Sequence, residues 1–190
     1  MPSILRTLLP SGVALSVVAL LAFAQDKGGD GHNHAVLEVG KKAPSFSTTV
    51  MSGKKVDLAT SFKGKIVLVD FWATWCLPCL GEIPHLKKVY KDYHEKGLEI
   101  VGISLDASHN VSSETVAKFL KAKGMKWEQV YVGVNPIAES YGVRSIPTAF
   151  LVDGTSGKIL AMGRDLHGEE LSKTIEKHVK AAAEKDDKEG

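Results

Sequence analysis

Cysteine is nearly absent from this chain, with two in 190 residues. Cys76 and Cys79 stand three apart, too close to staple distant parts of a fold. Stability must therefore come from an apolar core, and composition supplies one: 44% of residues are hydrophobic and 24% charged, the profile of one globular domain. A marked excess of either charge is missing too. The formal net charge is +2. Residues 1–24 carry one charged side chain, Arg6, so the remainder stands at +1. Such balance argues against a nucleic-acid binder. No internal repeat is present, which excludes solenoid architectures.

The first 24 residues read as a secretory signal peptide. Arg6 is the positive n-region, Val13 to Leu21 the apolar stretch, and Ala22-Phe23-Ala24 a small-x-small cleavage site, so the mature chain is expected to start at Gln25. The alternative is an uncleaved anchor helix. Met1 to Ala24 reaches the ~20 residues of a span, but Pro10, Ser11 and Gly12 interrupt it. No cysteine lies near the site, so a lipoprotein anchor is excluded. Either reading places the folded part outside the cytoplasm: periplasmic or extracytoplasmic, free or N-terminally anchored. Residues 25–38 read as a flexible linker. Its His32-Asn33-His34 is a weak metal-binding pattern and more simply a polar stretch.

The informative stretch is Phe71-Trp72-Ala73-Thr74-Trp75-Cys76-Leu77-Pro78-Cys79. The apolar run Ile66-Val67-Leu68-Val69 leads in and a helical pattern leads out. A thiol at a helix start faces unpaired N–H groups and the positive end of the dipole, and both favour thiolate. Pro78 is tolerated there because first-turn N–H groups have no intrahelical partner. A structural disulfide across two residues restrains the unfolded chain little. A structural zinc site needs four ligands, and this pair supplies two. A buried inert pair needs no such spacing. Redox chemistry fits the pattern best. In an oxidising compartment, such a dithiol needs a dedicated reducing donor or acts as an oxidant.

Around this stretch the periodicity predicts a simple order. Phe46 to Val50 and Lys55 to Leu58 flank the turn signal Ser52-Gly53 as a hairpin. Ile66 to Trp72 is a central strand, apolar without alternation, as when helices cover both faces. A helix to about His94 buries Ile83, Leu86, Tyr90 and Tyr93, with Pro84 inside it, and ends before Gly97. Leu98 to Leu105 is a strand. Ser112 or Ser113 caps a helix burying Val116, Phe119 and Leu120, closed by Gly124. A short strand lies near Val130 to Val132. Thr148 to Val152 and Lys158 to Met162 form a hairpin. A last helix buries Leu171, Ile175 and Val179, and a charged tail follows at 183–190.

Val69-Asp70-Phe71-Trp72-Ala73-Thr74-Trp75-Cys76-Leu77-Pro78-Cys79 resembles the active-site segment of thioredoxins. Tyr141-Gly142-Val143-Arg144-Ser145-Ile146-Pro147-Thr148 resembles the segment that carries their cis-proline. Glu82-Ile83-Pro84, with the entry segment Val39-Gly40-Lys41-Lys42-Ala43-Pro44-Ser45-Phe46, is similar to the TlpA/ResA-like (CcmG/DsbE-like) branch. The resemblance implies an α/β thioredoxin fold over 39–182. That fold has a central mixed sheet flanked by helices, an N-terminal β-hairpin and a central αβ insertion.

It also implies roles. Cys76 is the nucleophile at the exposed edge of the helix start, and Cys79 resolves the mixed disulfide. Asp70 interrupts an apolar run and takes the proton as Cys79 attacks, where the bland reading is a satisfied strand-end carboxylate. Glu82, one turn past Cys79, tunes the pair or else merely favours a helix start. Pro147 is cis, and Ile146 pairs with an extended substrate segment. Trp75, Leu77 and Pro78 line the substrate face. Trp72 is equally read as rim or as packing. No cofactor is expected beyond the redox-active disulfide.

The implied function is an extracytoplasmic thiol-disulfide oxidoreductase, reducing in direction because Leu77-Pro78 offers no charge to stabilise thiolate. Implied clients are apocytochrome c thiols or copper-site cysteines of oxidase assembly, with a membrane electron donor of the DsbD/CcdA type. A peroxiredoxin-like peroxidase would need Pro-x-x-x-Thr-x-x-Cys, but Val69 and Ala73 stand at the first two positions. A Cu(I)-binding module on Cys76 and Cys79, helped by His32, His34 or His167, is the remaining alternative.

Overall fold

The computed structural model describes residues 37–131 and 136–189. The chain divides into two compact units, Met1–Asn33 and His34–Gly190, and the architecture below is that of the second. The expected signal segment, most of the linker, His32 and His34, and the Val132 end of the predicted short strand lie outside the described residues.

The sheet is built on β3 (Ile66–Trp72), whose seven residues are all buried. Burial on both faces explains its unbroken apolar run. β3 runs parallel to β4 (Leu98–Ser104), which runs parallel to β5 (Glu128–Tyr131). On its other side β3 pairs antiparallel with β6 (Thr148–Asp153), which pairs antiparallel with β7 (Ile159–Met162). The order is β5-β4-β3-β6-β7. A separate antiparallel hairpin, β1 (Ser47–Thr49) and β2 (Lys55–Asp57), precedes the sheet.

Alternate residues of β3 serve two cores. Ile66, Leu68 and Trp72 face α1 (Leu77–Tyr93), α2 (Ser113–Lys123) and α4 (Gly168–Glu189), meeting Ile83, Leu86, Val89, Val116, Leu171 and Ile175. Val67, Val69 and Phe71 face the opposite way, toward the hairpin residues Val50 and Val56 and toward α3 (Pro136–Ser140) through Ile137 and Ala138. Each such side chain, fully buried, contributes roughly 1.5–3 kcal/mol of transfer free energy. The second face is thus covered largely by the hairpin, with one short helix beside it. The architecture is the mixed five-stranded sheet flanked by helices, with an N-terminal hairpin and a central β5-α3 insertion, that the sequence motifs imply.

Three details differ from expectation. On α1, Val89 is buried while Tyr90 and Tyr93 are half-buried. A tyrosine keeps its hydroxyl near water, and Tyr90 stacks on His94 with ring centroids 4.4 Å apart. The helix tightens into a 3₁₀ turn over His94–Lys96 before Gly97, whose φ of 99° only glycine adopts freely. The charged tail is helical: α4 continues to Glu189. Ala181-Ala182-Ala183-Glu184-Lys185 are strong helix formers, and propensity extends the helix beyond its apolar stripe.

Candidate active site

The site forms where β3 ends and β6 begins. Chain order alone would not bring these together, but antiparallel pairing sets Phe71 opposite Thr148. The residues after Trp72 and those before Thr148 therefore share one edge of the sheet. Cys76 is the N-cap of α1, with extended backbone (φ −87°, ψ 97°). Its Sγ accepts a hydrogen bond from the Cys79 N–H at 3.2 Å, the bond that a side-chain oxygen makes in an ordinary N-cap. Leu77 and Pro78 occupy the first turn, where Pro78 costs no hydrogen bond. Cys76 and Cys79 are joined as a disulfide with Cα atoms 5.3 Å apart.

Cys76 was expected at an exposed edge, and the structure corrects this. It is 5% exposed and Cys79 is 3%. What reaches solvent is the rim: Leu77 at 79%, Trp75 at 43%, and Pro78. Ile146 is half-buried against the core cluster that holds both cysteines. The Ile146–Pro147 peptide bond is cis. Trp75 stacks on His109 with ring centroids 4.0 Å apart. Trp72 belongs to the packing and not to the rim: it is buried, and its Nε1 donates to Gln129 Oε1 at 3.0 Å.

Asp70 lies on the α1 side of β3, in the same row as Gly102 on β4 and Ala149 on β6. It is 5% exposed. Its carboxyl is pushed up to about 7, first by burial and second by the Glu82 carboxylate. A carboxyl that titrates near neutrality can carry a proton either way. Glu82 is half-buried, and its Oε2 accepts from the Gly168 N–H at 2.9 Å. It therefore sits at the start of α4, where the dipole favours an anion, while its charge opposes ionisation of Asp70.

Sequence reasoning missed Asp106. This fully buried carboxylate opens the 3₁₀ turn Asp106–His109 that follows β4. It accepts from the Thr74 N–H at 3.1 Å, the Thr74 hydroxyl at 2.6 Å and the Ser104 hydroxyl at 2.7 Å. It thereby holds the turn that delivers Cys76. The signal was available: like Asp70, Asp106 is an acid at the end of an apolar run. Among the described residues no group of three or more His, Cys, Asp or Glu could hold a metal ion, and His167 joins none.

Residues 39–162 match the AhpC/TSA family. The thiol-disulfide oxidoreductase ResA of Bacillus thuringiensis is 36% identical over 144 residues, which is 76% of this chain and 78% of that protein. The thioredoxin domain of a thiol-disulfide oxidoreductase from Bacteroides vulgatus superposes with a TM-score of 0.66 at 36% identity, covering 75% of this chain and 99% of that one. A thiol:disulfide interchange protein from Bacteroides sp. gives 0.66 at 37% identity, over 76% and 91%. A buried Cys-x-x-Cys disulfide capping a helix, beside a cis-proline and a near-neutral carboxyl, agrees with those likenesses. The chain belongs to the AhpC/TSA family and is a ResA-like thiol-disulfide oxidoreductase of the thioredoxin fold, acting on protein thiols.

Proposed function

We propose that the enzyme works outside the cytoplasm as a reductant of protein disulfides, with the Cys76–Cys79 pair as its only electron carrier. The observation that carries the direction is the first turn of α1. Leu77, Pro78 and Leu80 bring no cation to the sulfurs, so thiolate is favoured by backbone N–H groups and the helix dipole alone. A weakly stabilised thiolate means a dithiol that gives up its electrons readily.

The buried disulfide and the near-neutral Asp70 carboxyl support the following steps. Cys76 thiolate attacks a client disulfide, forms a mixed disulfide and releases one client thiolate. Asp70 carboxylate takes the proton of the Cys79 thiol. Cys79 thiolate then attacks Cys76 Sγ, closes the Cys76–Cys79 bond and releases the second client thiolate. Two electrons pass to the client and one disulfide replaces another. Trp75, Leu77, Pro78 and Ile146 supply an apolar rim for an extended client segment around the cis Pro147. The clients proposed are apocytochrome c thiols or copper-site cysteines, and a membrane donor of the DsbD/CcdA type restores the dithiol.

Equilibration in dithiothreitol or glutathione buffers measures the potential. A thioredoxin-like value near or below about −270 mV is expected; a DsbA-like value near about −120 mV would overturn the reducing direction.

A further inference from the structure

Asp70 has a row of neighbours across the sheet. Pairing sets it opposite Gly102 on β4, and Gly102 opposite Gln129 on β5. In parallel strands, residues in register point to the same face, so Asp70 and Gln129 both face α1 with a glycine between them. The missing side chain is filled. A Cβ on Gly102 would collide with Gln129 Oε1 and lie 2.8 Å from Nε2. The Gln129 amide therefore lies over Gly102, leaning from β5 toward β3.

Its orientation is fixed by chemistry. Trp72 Nε1 can only donate, so the amide oxygen must face it at 3.0 Å. The Nε2 group then turns elsewhere. It is buried and has no hydrogen-bond partner among the described residues. Gln129 is 3% exposed, so bulk water cannot satisfy it cheaply. An orphaned buried donor costs about 1–3 kcal/mol. On the next strand stands a buried acceptor: Asp70, whose carboxylate accepts no hydrogen bond among the described residues. Roughly one strand spacing, about 4.8 Å, separates the amide over Gly102 from the Asp70 backbone. A gap of that order suits one bridging water better than direct contact.

We propose that Gln129 is a positioning residue for proton transfer, its Nε2 donating through one buried water to the Asp70 carboxylate across the gap left by Gly102. This rests on Asp70 being the group that takes the Cys79 proton. The proton moves from Cys79 Sγ to Asp70, and Gln129 neither gains nor loses one. Its donated bond favours the ionised form and so opposes the upward push of burial. The charged group that acts on Asp70 is Glu82 of α1, and its partners on the flanking strands, Gly102 and Ala149, are uncharged. Asp106, in the 3₁₀ turn after β4, is engaged by Thr74 and Ser104.

The test needs no variant at first. In oxidised wild-type protein, the side-chain 15N–1H signals of Gln129 should titrate with the midpoint seen for the Asp70 carboxyl by 13C NMR, and Asp70→Asn should abolish that titration while Glu82 remains. Gln129→Met, which keeps volume and loses the donor, should raise the Asp70 midpoint by about half to one pH unit. It should also move the acid limb of mixed-disulfide resolution, where Asp70 must be ionised to act as base, by the same amount. An Asp70 that titrates near 7 while the Gln129 amide stays silent would overturn the proposal and leave the Asp70 role standing. A resolution limb unchanged in Asp70→Asn would instead remove the Asp70 role, and the proposal with it.

Discussion

At the residue scale, the two sulfurs divide the labour. Cys76 Sγ carries the N-cap hydrogen bond, and Cys79 lies in the first turn of α1 beyond it. Cys79→Ser should therefore trap client proteins on Cys76 as mixed disulfides, visible as high-mass bands on non-reducing gels. Cys76→Ser should trap none. Asp70 makes a second, thermodynamic prediction. Its folded pKa of about 7 stands above the ordinary value of 3.8. The protonated form thus favours the fold, and stability is lost as pH rises between those two values. Above about pH 7 the ionised group costs on the order of 4 kcal/mol. Asp70→Asn should gain much of that in denaturant melts of the oxidised protein at pH 8, and nothing near pH 3. A gain independent of pH would contradict the assignment.

At the element scale, α1 and α4 meet through Glu82. Its carboxylate holds the Gly168 N–H, so Glu82→Gln should cost about 1 kcal/mol in melts by weakening the start of α4. The same change removes a negative charge near Asp70, so the Asp70 midpoint should fall toward the ordinary carboxyl range. One substitution thus destabilises a helix and eases an ionisation, and the two readouts separate these effects. The turn before α1 behaves similarly. Thr74→Val deletes the hydroxyl bond to buried Asp106 and should lower stability by about 1 kcal/mol. What could be read in advance at this scale was whatever is local. Ser112 is the expected cap, accepting from the Thr115 N–H, and Gly124 closes α2 with φ 64°. Cys76 and Pro147 were legible because their motifs are contiguous. Asp106 and Gln129 were not, because their partners, Thr74 and Trp72, are fixed by strand register. The burial of Cys76 was missed for a related reason: a helix N-cap is exposed by default, and this one is roofed by tertiary neighbours.

At the scale of the whole molecule, the compact unit is His34–Gly190. A chain starting at His34 should unfold in one transition and keep the reduction potential of the full chain; a shifted potential would show that the first segment touches the site's chemistry. Among its described residues no helix is long and apolar enough to cross a membrane. The overall architecture was legible because the unbroken apolar runs of β3 and β4 and the helical period of α4 are strong. The cover on the second face was not, because a three-residue strand such as β1 carries little periodicity.

The glutamine folded over Gly102 also constrains how this sequence can drift. Gly102→Ala alone drives a methyl into the Gln129 amide, whereas Gln129→Ala alone only opens a hole. The double change should be milder than the two single costs combined, since each alteration makes room for the other. Mutational routes through this part of the sheet are therefore ordered: position 129 must shrink before position 102 can grow. A lineage that takes that route gives up the donor beside Asp70 at its first step.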